Sequence, residues 1–205
     1  MKVLLINGSP HEKGCTYTAL SLIAGELKAQ GIETEILHVG GQPVGGCIGC
    51  GGCRSGNGCV FGGVVNEAIE KAKTADAFVF GSPVHYASAA GNMASFMDCL
   101  AYAGGKYLAY KPAAVCCSAR RAGTTSTLDQ LVKYPQFFHM PLVNGSYWAM
   151  VHGSNPEQVL QDAEGCAVMQ ELGRNMAWLL RCIEAGKAAG IDHLSLIHIS
   201  EPTRQ

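Results

Sequence analysis

The chain has 205 residues, 48% of them hydrophobic and 15% charged, with a formal net charge of −1. That balance sets aside a disordered chain, which would carry little apolar surface and much charge, and it leaves no basic tract able to follow a nucleic-acid backbone. One globular domain with ample chain for a core is the simplest organisation.

Residues 2–7 form a short apolar run closed by Gly8-Ser9-Pro10, which predicts a buried strand. The run is shorter than the apolar core of a secretory signal, and no segment approaches the ~20 apolar residues of a membrane span. A cytosolic location without a membrane partner is therefore expected, and there the ten cysteines are expected as thiols, not disulfides. Tyr17, Leu20, Ala24 and Leu27 recur at helical spacing, and Gly31 is a stop signal. Residues 33–39 alternate as a second strand. A glycine- and cysteine-rich stretch follows, then a helix marked by Val65, Ala68, Ile69 and Ala72. Residues 76–81 (DAFVFG) predict a third strand, and Met93, Phe96, Met97 and Leu100 line the next helix. Residues 113–117 predict a fourth strand. A helix is expected over 125–138, ended or kinked by Pro135. Residues 142–148 read as a fifth strand, and one long apolar stripe runs from 157 to 188.

Five strands alternating with five helices predict an α/β fold: a doubly wound parallel sheet in the order 2-1-3-4-5, with helices on both faces. The single domain is expected to span residues 1–190. Residues 191–205 are expected to be a tail, disordered or not native: LSLIHISEPTRQ, from Leu194, breaks the pattern after a finished helix and resembles adapter-derived read-through. No function is assigned to it, His198 included.

In such sheets ligands bind beyond the carboxyl ends of the strands, where strand order reverses. Three loops fall there, at residues 8–16, 83–91 and 118–124. The first, GSPHEKGCT, runs from a strand into a helix with hydroxyls at Ser9 and Thr16, and Thr18 just beyond; this suits one phosphate group held by free backbone N–H groups, or else plain helix capping. It has neither G-x-G-x-x-G nor Gly-Lys-Ser/Thr spacing, so it is not a dinucleotide fingerprint or a P-loop. The second exposes His85 and Tyr86, an aromatic pair able to flank a flat ring or simply to pack the loop. The third sets Arg120 and Arg121 beside a glycine hinge, as a charge near a ligand or as a solvated pair.

Together "GSPHEKGCTYTAL", "FGSPVHYASAAGNMASFMD" and "CSARRAGTTSTLDQL" resemble the flavodoxin-like NAD(P)H-dependent FMN reductases, over about residues 2–188. The resemblance implies FMN as cofactor and NAD(P)H as co-substrate, with electrons passed to a flavin, a quinone, a small organic or a protein acceptor. It implies that Ser9, His11, Cys15, Thr16 and Thr18 hold the FMN phosphate and ribityl chain. His11 and Cys15 depart from the Arg and the Asn or Ser often found there. Pro83, Val84, His85 and Tyr86 would border the isoalloxazine ring, and Ser118, Ala119, Arg120, Arg121 and Gly123 its pyrimidine edge, where a positive charge near flavin N1 favours the anionic reduced form. No side chain is required as acid or base; His85 and Tyr86 are the candidates for positioning an acceptor. The resemblance also implies a homodimer or tetramer.

The stretch CIGCGGCRSGNGC carries four cysteines in thirteen residues, spaced C-x2-C-x2-C-x5-C at Cys47, Cys50, Cys53 and Cys59. Three readings stay open. The thiolates hold a [4Fe–4S] cluster, they hold zinc, or they are free thiols in a flexible loop. Iron–sulfur flavoproteins, within the same resemblance, carry a compact cysteine cluster after strand two. A cluster would shift the function towards an FMN/iron–sulfur electron-transfer protein serving a partner reductase; a redox-sensing module is a third alternative. Cys99, Cys116, Cys117, Cys166 and Cys182 read as small apolar residues, and His139 and His152 as structural.

Overall fold

The computed structural model describes residues 1–191, so the expected tail lies outside the described residues but for Ile191, and His198 lies outside them too. Strands β1 (Lys2–Asn7), β2 (Glu33–His38), β3 (Ala77–His85), β5 (Ala113–Ala119) and β6 (Met150–His152) form one parallel sheet in the order β2-β1-β3-β5-β6. A two-residue strand, β4 (Ser88–Ala89), pairs antiparallel with the end of β3. Without β4 the order is the expected 2-1-3-4-5.

The central strands are buried on both faces, which is why β1 and β5 are apolar runs, as is β3 over its first four residues, while the edge strand β2 (ETEILH) is only partly buried and carries Glu33, Thr34 and Glu35. Successive residues still point to opposite sides. Val3, Leu5, Ala77, Val79, Ala114 and Cys116 meet helices α1 (Cys15–Ala29) and α6 (Ala163–Ala188). Leu4, Ile6, Phe78, Phe80, Val115 and Cys117 meet α2 (Gly63–Thr74), α3 (Gly91–Gly104) and α4 (Thr124–Phe137). Burial pushes the Cys116 thiol well up and that of Cys117 to about 12, so both are small apolar fillers. All ten cysteines are free.

Two boundaries differ from the sequence expectation. The fifth strand is Met150–His152, not residues 142–148. Leu142 makes one parallel bridge to Ala113, and the chain then bulges out over Asn144–Trp148 before Met150 rejoins opposite Cys117. Between these pairings three residues of β5 (114–116) thus face seven of the edge segment (143–149), and the excess carries Tyr147 and Trp148 into solvent. The stripe over 157–188 is two helices, α5 (Pro156–Val159) and α6. The break has a local cause: Asn155 accepts a hydrogen bond from Gln158 N at 2.9 Å and Asp162 one from Gly165 N at 2.9 Å, so each caps its own helix start. Pro135 sits inside α4, which ends two residues later. Among the described residues, no helix is long and apolar enough to cross a membrane.

Candidate functional site

β1 ends at Asn7, a fully buried polar residue that organises the loop behind it. Its Nδ2 donates to the Glu12 carbonyl at 2.9 Å and its Oδ1 accepts from Ser9 N at 3.1 Å. Ser9 is itself buried; its Oγ accepts from His11 N at 3.1 Å. His38, at the end of β2, places Nε2 2.7 Å from the Ser9 carbonyl oxygen. A carbonyl only accepts, so that nitrogen carries the proton. Gly40 follows at closest range: a Cβ there would lie 2.2 Å from the same oxygen. The loop delivers the chain to α1, whose N-cap is Gly14 and which no side chain among the described residues caps. The first backbone N–H groups of a helix have no partner within it and sit at its positive end. They are the natural seat of a phosphate.

The expected side chains take different places around that seat. His11 is exposed. Cys15 is half-buried and its thiol, pushed up by burial, points to the Gly153 carbonyl at 3.5 Å. Thr18 donates back to the Gly14 carbonyl at 3.2 Å. Thr16 is buried and shares a 2.8 Å hydrogen bond with Ser118, which fastens the first loop to the third.

The second loop is a hairpin. β3 runs on to His85, turns through Tyr86 and Ala87, and returns as β4, with Val84 opposite Ala89 and His85 opposite Ser88. Both turn residues have positive φ, +51° and +59°. A two-residue turn of this kind favours Asn-Gly, because a Cβ is disfavoured in the left-handed region. Tyr-Ala therefore holds strain, of order 1–3 kcal/mol per residue. Its tip is the fully exposed Tyr86, beside exposed His85, while Pro83 and Val84 are half-buried at its base. Below it, buried Ser82 accepts from Ala90 N at 3.0 Å.

The third loop leaves β5 through buried Ser118 and Ala119, exposes Arg120 and Arg121, and enters α4 at Gly123, φ +89°. A Cβ on Gly123 would lie 2.7 Å from Ala87 Cα, so the second and third loops are in direct backbone contact. All three loops thus meet at one end of the sheet, where Ser9, Thr16 and Ser118 are buried and His85, Tyr86, Arg120 and Arg121 are exposed.

The cysteine-rich segment lies along α3. Asn92 Nδ2 donates to the Gly40 and Gln42 carbonyls (3.2 and 3.0 Å), Cys99 Sγ to Gly45 O (3.4 Å), and Cys53 Sγ to Tyr102 O (3.6 Å). The first two anchors, Asn92 and Cys99, are side chains of α3 at i, i+7; Cys99 is also buried in the core with Met93, Phe96, Met97 and Leu100. Sequence reading found this core face and missed Asn92. Cys47, Cys50, Cys53, Cys59 and Cys99 all line one cavity of about 230 Å³. Burial, reinforced by Cys59 and Cys47 close by, pushes the Cys99 thiol to about 12, so it stays protonated. The donor set suits a cluster in chemistry and number. Among the described residues, however, no three His, Cys, Asp or Glu side chains converge as an ion-holding group. A larger cleft, about 650 Å³, borders the same segment and the ends of α2 and α3, away from the three loops.

The profile of the family described as NADPH-dependent FMN reductase matches residues 1–155. An iron–sulfur flavoprotein of Methanocaldococcus jannaschii is 28% identical over 192 residues, covering 90% of this chain and all of that protein. One of Archaeoglobus fulgidus is 36% identical over 98 residues, 48% of each chain. Among solved structures, an NADH:FMN oxidoreductase in its apo form superposes with a TM-score of 0.63 at 17% identity, covering 88% of this chain and 89% of that one. A flavodoxin, WrbA-like protein from Agrobacterium tumefaciens gives 0.62 at 12%, covering 88% and 97%. At these identities the structural likeness is one of fold.

Proposed function

The chain belongs to the NADPH-dependent FMN reductase family, and on that premise we propose that it takes hydride from NAD(P)H onto FMN held where the three loops meet and passes the electrons to a small-molecule or protein acceptor. The observation that carries the site is the uncapped N-terminus of α1 beneath a loop pinned by Asn7 and His38 and tied to the third loop by Thr16–Ser118.

FMN supplies the redox chemistry, accepting a hydride and releasing electrons singly or in pairs. The protein's part is placement. The N–H groups opening α1, with Ser9, bind the phosphate; His11, Cys15 and Thr18 flank it. Thr16 and Ser118, buried and hydrogen-bonded to each other, would close the site from below. Pro83, Val84, His85 and Tyr86 border one side of the flat ring, and Ala119, Arg120, Arg121 and Gly123 its pyrimidine edge, where the arginine charges favour an anionic reduced ring. Assembly as a homodimer or tetramer fits the exposed aromatic tip at Tyr86; light scattering in solution tests it. The functional test is NADPH oxidation by the FMN-loaded protein without any partner protein. Steady turnover with a quinone or free flavin supports the reading, and FMN binding without turnover contradicts it.

A second reading, electron relay through FMN and an iron–sulfur cluster to a partner reductase, is favoured by the five-thiol cavity and by the names of the relatives. Cys47, Cys50, Cys53 and Cys59 would hold the cluster, which supplies single-electron steps. About four irons per FMN after anaerobic purification supports relay; flavin without iron removes it.

A further inference from the structure

The Tyr86-Ala87 turn holds two non-glycine residues in the left-handed region, and the groups that keep it there belong to α4, not to the hairpin. Gln130 Oε1 accepts two hydrogen bonds from the returning strand, from Ser88 Oγ at 2.7 Å and from Ala89 N at 2.8 Å. Ser126 Oγ donates to the Ala87 carbonyl at 2.7 Å. Gly123 lets the α4 N-terminus approach so closely that an added Cβ would sit 2.7 Å from Ala87 Cα and 3.0 Å from Val84 Cγ1. A strained turn persists only where its surroundings over-determine it. These contacts come from the N-cap of α4 and from its positions 126 and 130, spaced three and four residues apart, and seize the turn at residues 87, 88 and 89. Among the described residues nothing of the kind holds the side chain of Tyr86, which is fully exposed.

We infer that Gln130 is a positioning residue for the redox reaction: through Ser88 and Ala89 it fixes the turn backbone from which Tyr86 projects at the mouth of the proposed site, without touching flavin or substrate itself. This rests on the placement of FMN proposed above. The hairpin contributes orientation and not the bulk of flavin binding, since the phosphate seat lies on another loop. Removing the clamp therefore acts on turnover and not on retention. A displacement of about 1 Å at a reacting face can cost up to a hundredfold in rate.

The test uses the FMN-loaded full chain and three variants. Gln130→Leu removes the Oε1 acceptor of both hydrogen bonds at similar volume, Gln130→Glu keeps a carboxylate oxygen in its place, and Tyr86→Ala removes the ring. Expected is a fall in kcat of about tenfold or more for Gln130→Leu, with FMN affinity unchanged and an altered visible circular dichroism of the bound flavin. Gln130→Glu restores kcat and spectrum. Gln130→Leu in the Tyr86→Ala background adds no further loss, because both act through one group. Normal turnover of Gln130→Leu beside an impaired Tyr86→Ala overturns this inference and leaves the site standing. Normal turnover of Tyr86→Ala takes the hairpin out of the flavin site and overturns both. Additive losses, or a Gln130→Leu defect confined to FMN affinity or to melting temperature, also overturn it.

Discussion

Gly40→Ala is the smallest substitution that reaches the phosphate seat. The new Cβ would lie 2.2 Å from the Ser9 carbonyl oxygen, 2.4 Å from its carbonyl carbon and 2.5 Å from the Gly8 oxygen. The obstacle is backbone on two sides, so no side-chain rotation relieves it. Reaching even 3.0 Å, below which real Cβ atoms essentially never go, requires a retreat of 0.8 Å by Ser9 or by the end of β2. Either movement breaks the 2.7 Å hydrogen bond from His38 to Ser9, worth about 0.5–1.5 kcal/mol, and adds an overpacking cost of about 1–3 kcal/mol. Together these give about 2–4 kcal/mol, within the ~5–15 kcal/mol of a typical domain, so the protein stays folded. FMN affinity is expected to fall about tenfold to a hundredfold, as one or two charge-assisted hydrogen bonds to the phosphate lose their geometry. Denaturant unfolding gives the first number, and quenching of FMN fluorescence on titration gives the second. Wild-type affinity in a folded Gly40→Ala protein refutes the reasoning, because it means that the 8–16 loop does not hold the phosphate.

The same substitution at Gly25 has the opposite sign: this exposed residue sits inside α1 with nothing within 4 Å of an added Cβ, so Gly25→Ala raises unfolding free energy by about 0.5–1 kcal/mol. Glu35 bridges Lys2 (2.8 Å) and Lys71 (2.5 Å), whose hydrogen bonds hold its carboxyl below the usual carboxylate range. A carboxyl lowered in the folded state stabilises above its unfolded pKa and loses that contribution as pH falls through the folded one. Glu35→Gln is therefore expected to cost about 0.5 kcal/mol at pH 7 after solvent screening, and nothing once the pH is below the folded value; urea melts across pH check both. For native protein without metal, brief alkylation followed by mass spectrometry is expected to label exposed Cys47 and Cys50 and to leave buried Cys116 and Cys117 untouched; rapid labelling of Cys116 contradicts the burial that makes it a core residue.

Much of this was legible in the chain because parallel strands buried on both faces leave unbroken apolar runs, and because a strand that ends in Gly-Ser-Pro before a helix carries its turn chemistry locally. The same holds for the three loops. What escaped is tertiary. An Asn at the end of an apolar run signals a polar task, and Asn7 was readable as such. Gly40, His38 and Gln130 gain their meaning from what they meet across 29 to 42 positions of sequence. The Tyr86-Ala87 turn contradicts local preference and exists because α4 holds it. Cys99 is the core residue its helix pattern indicates; what the pattern could not show is that the cysteines of a distant loop line the same cavity. The edge strand was misplaced for a related reason: residues 142–148 have strand-like composition, yet the bulge at Asn144–Trp148 is fixed from α6, where Glu171 accepts from Ser146 N and Asn175 donates to the Asn144 carbonyl.

The central claim is that FMN seated at the three loops is reduced by a nicotinamide nucleotide. Anaerobic titration of the FMN-loaded protein with NADPH, and separately with NADH, tests it by the visible absorbance of the flavin. The account predicts stoichiometric bleaching by at least one of the two, with the colour restored on adding a quinone. Tightly bound flavin that stays oxidised through excess of both nucleotides contradicts it.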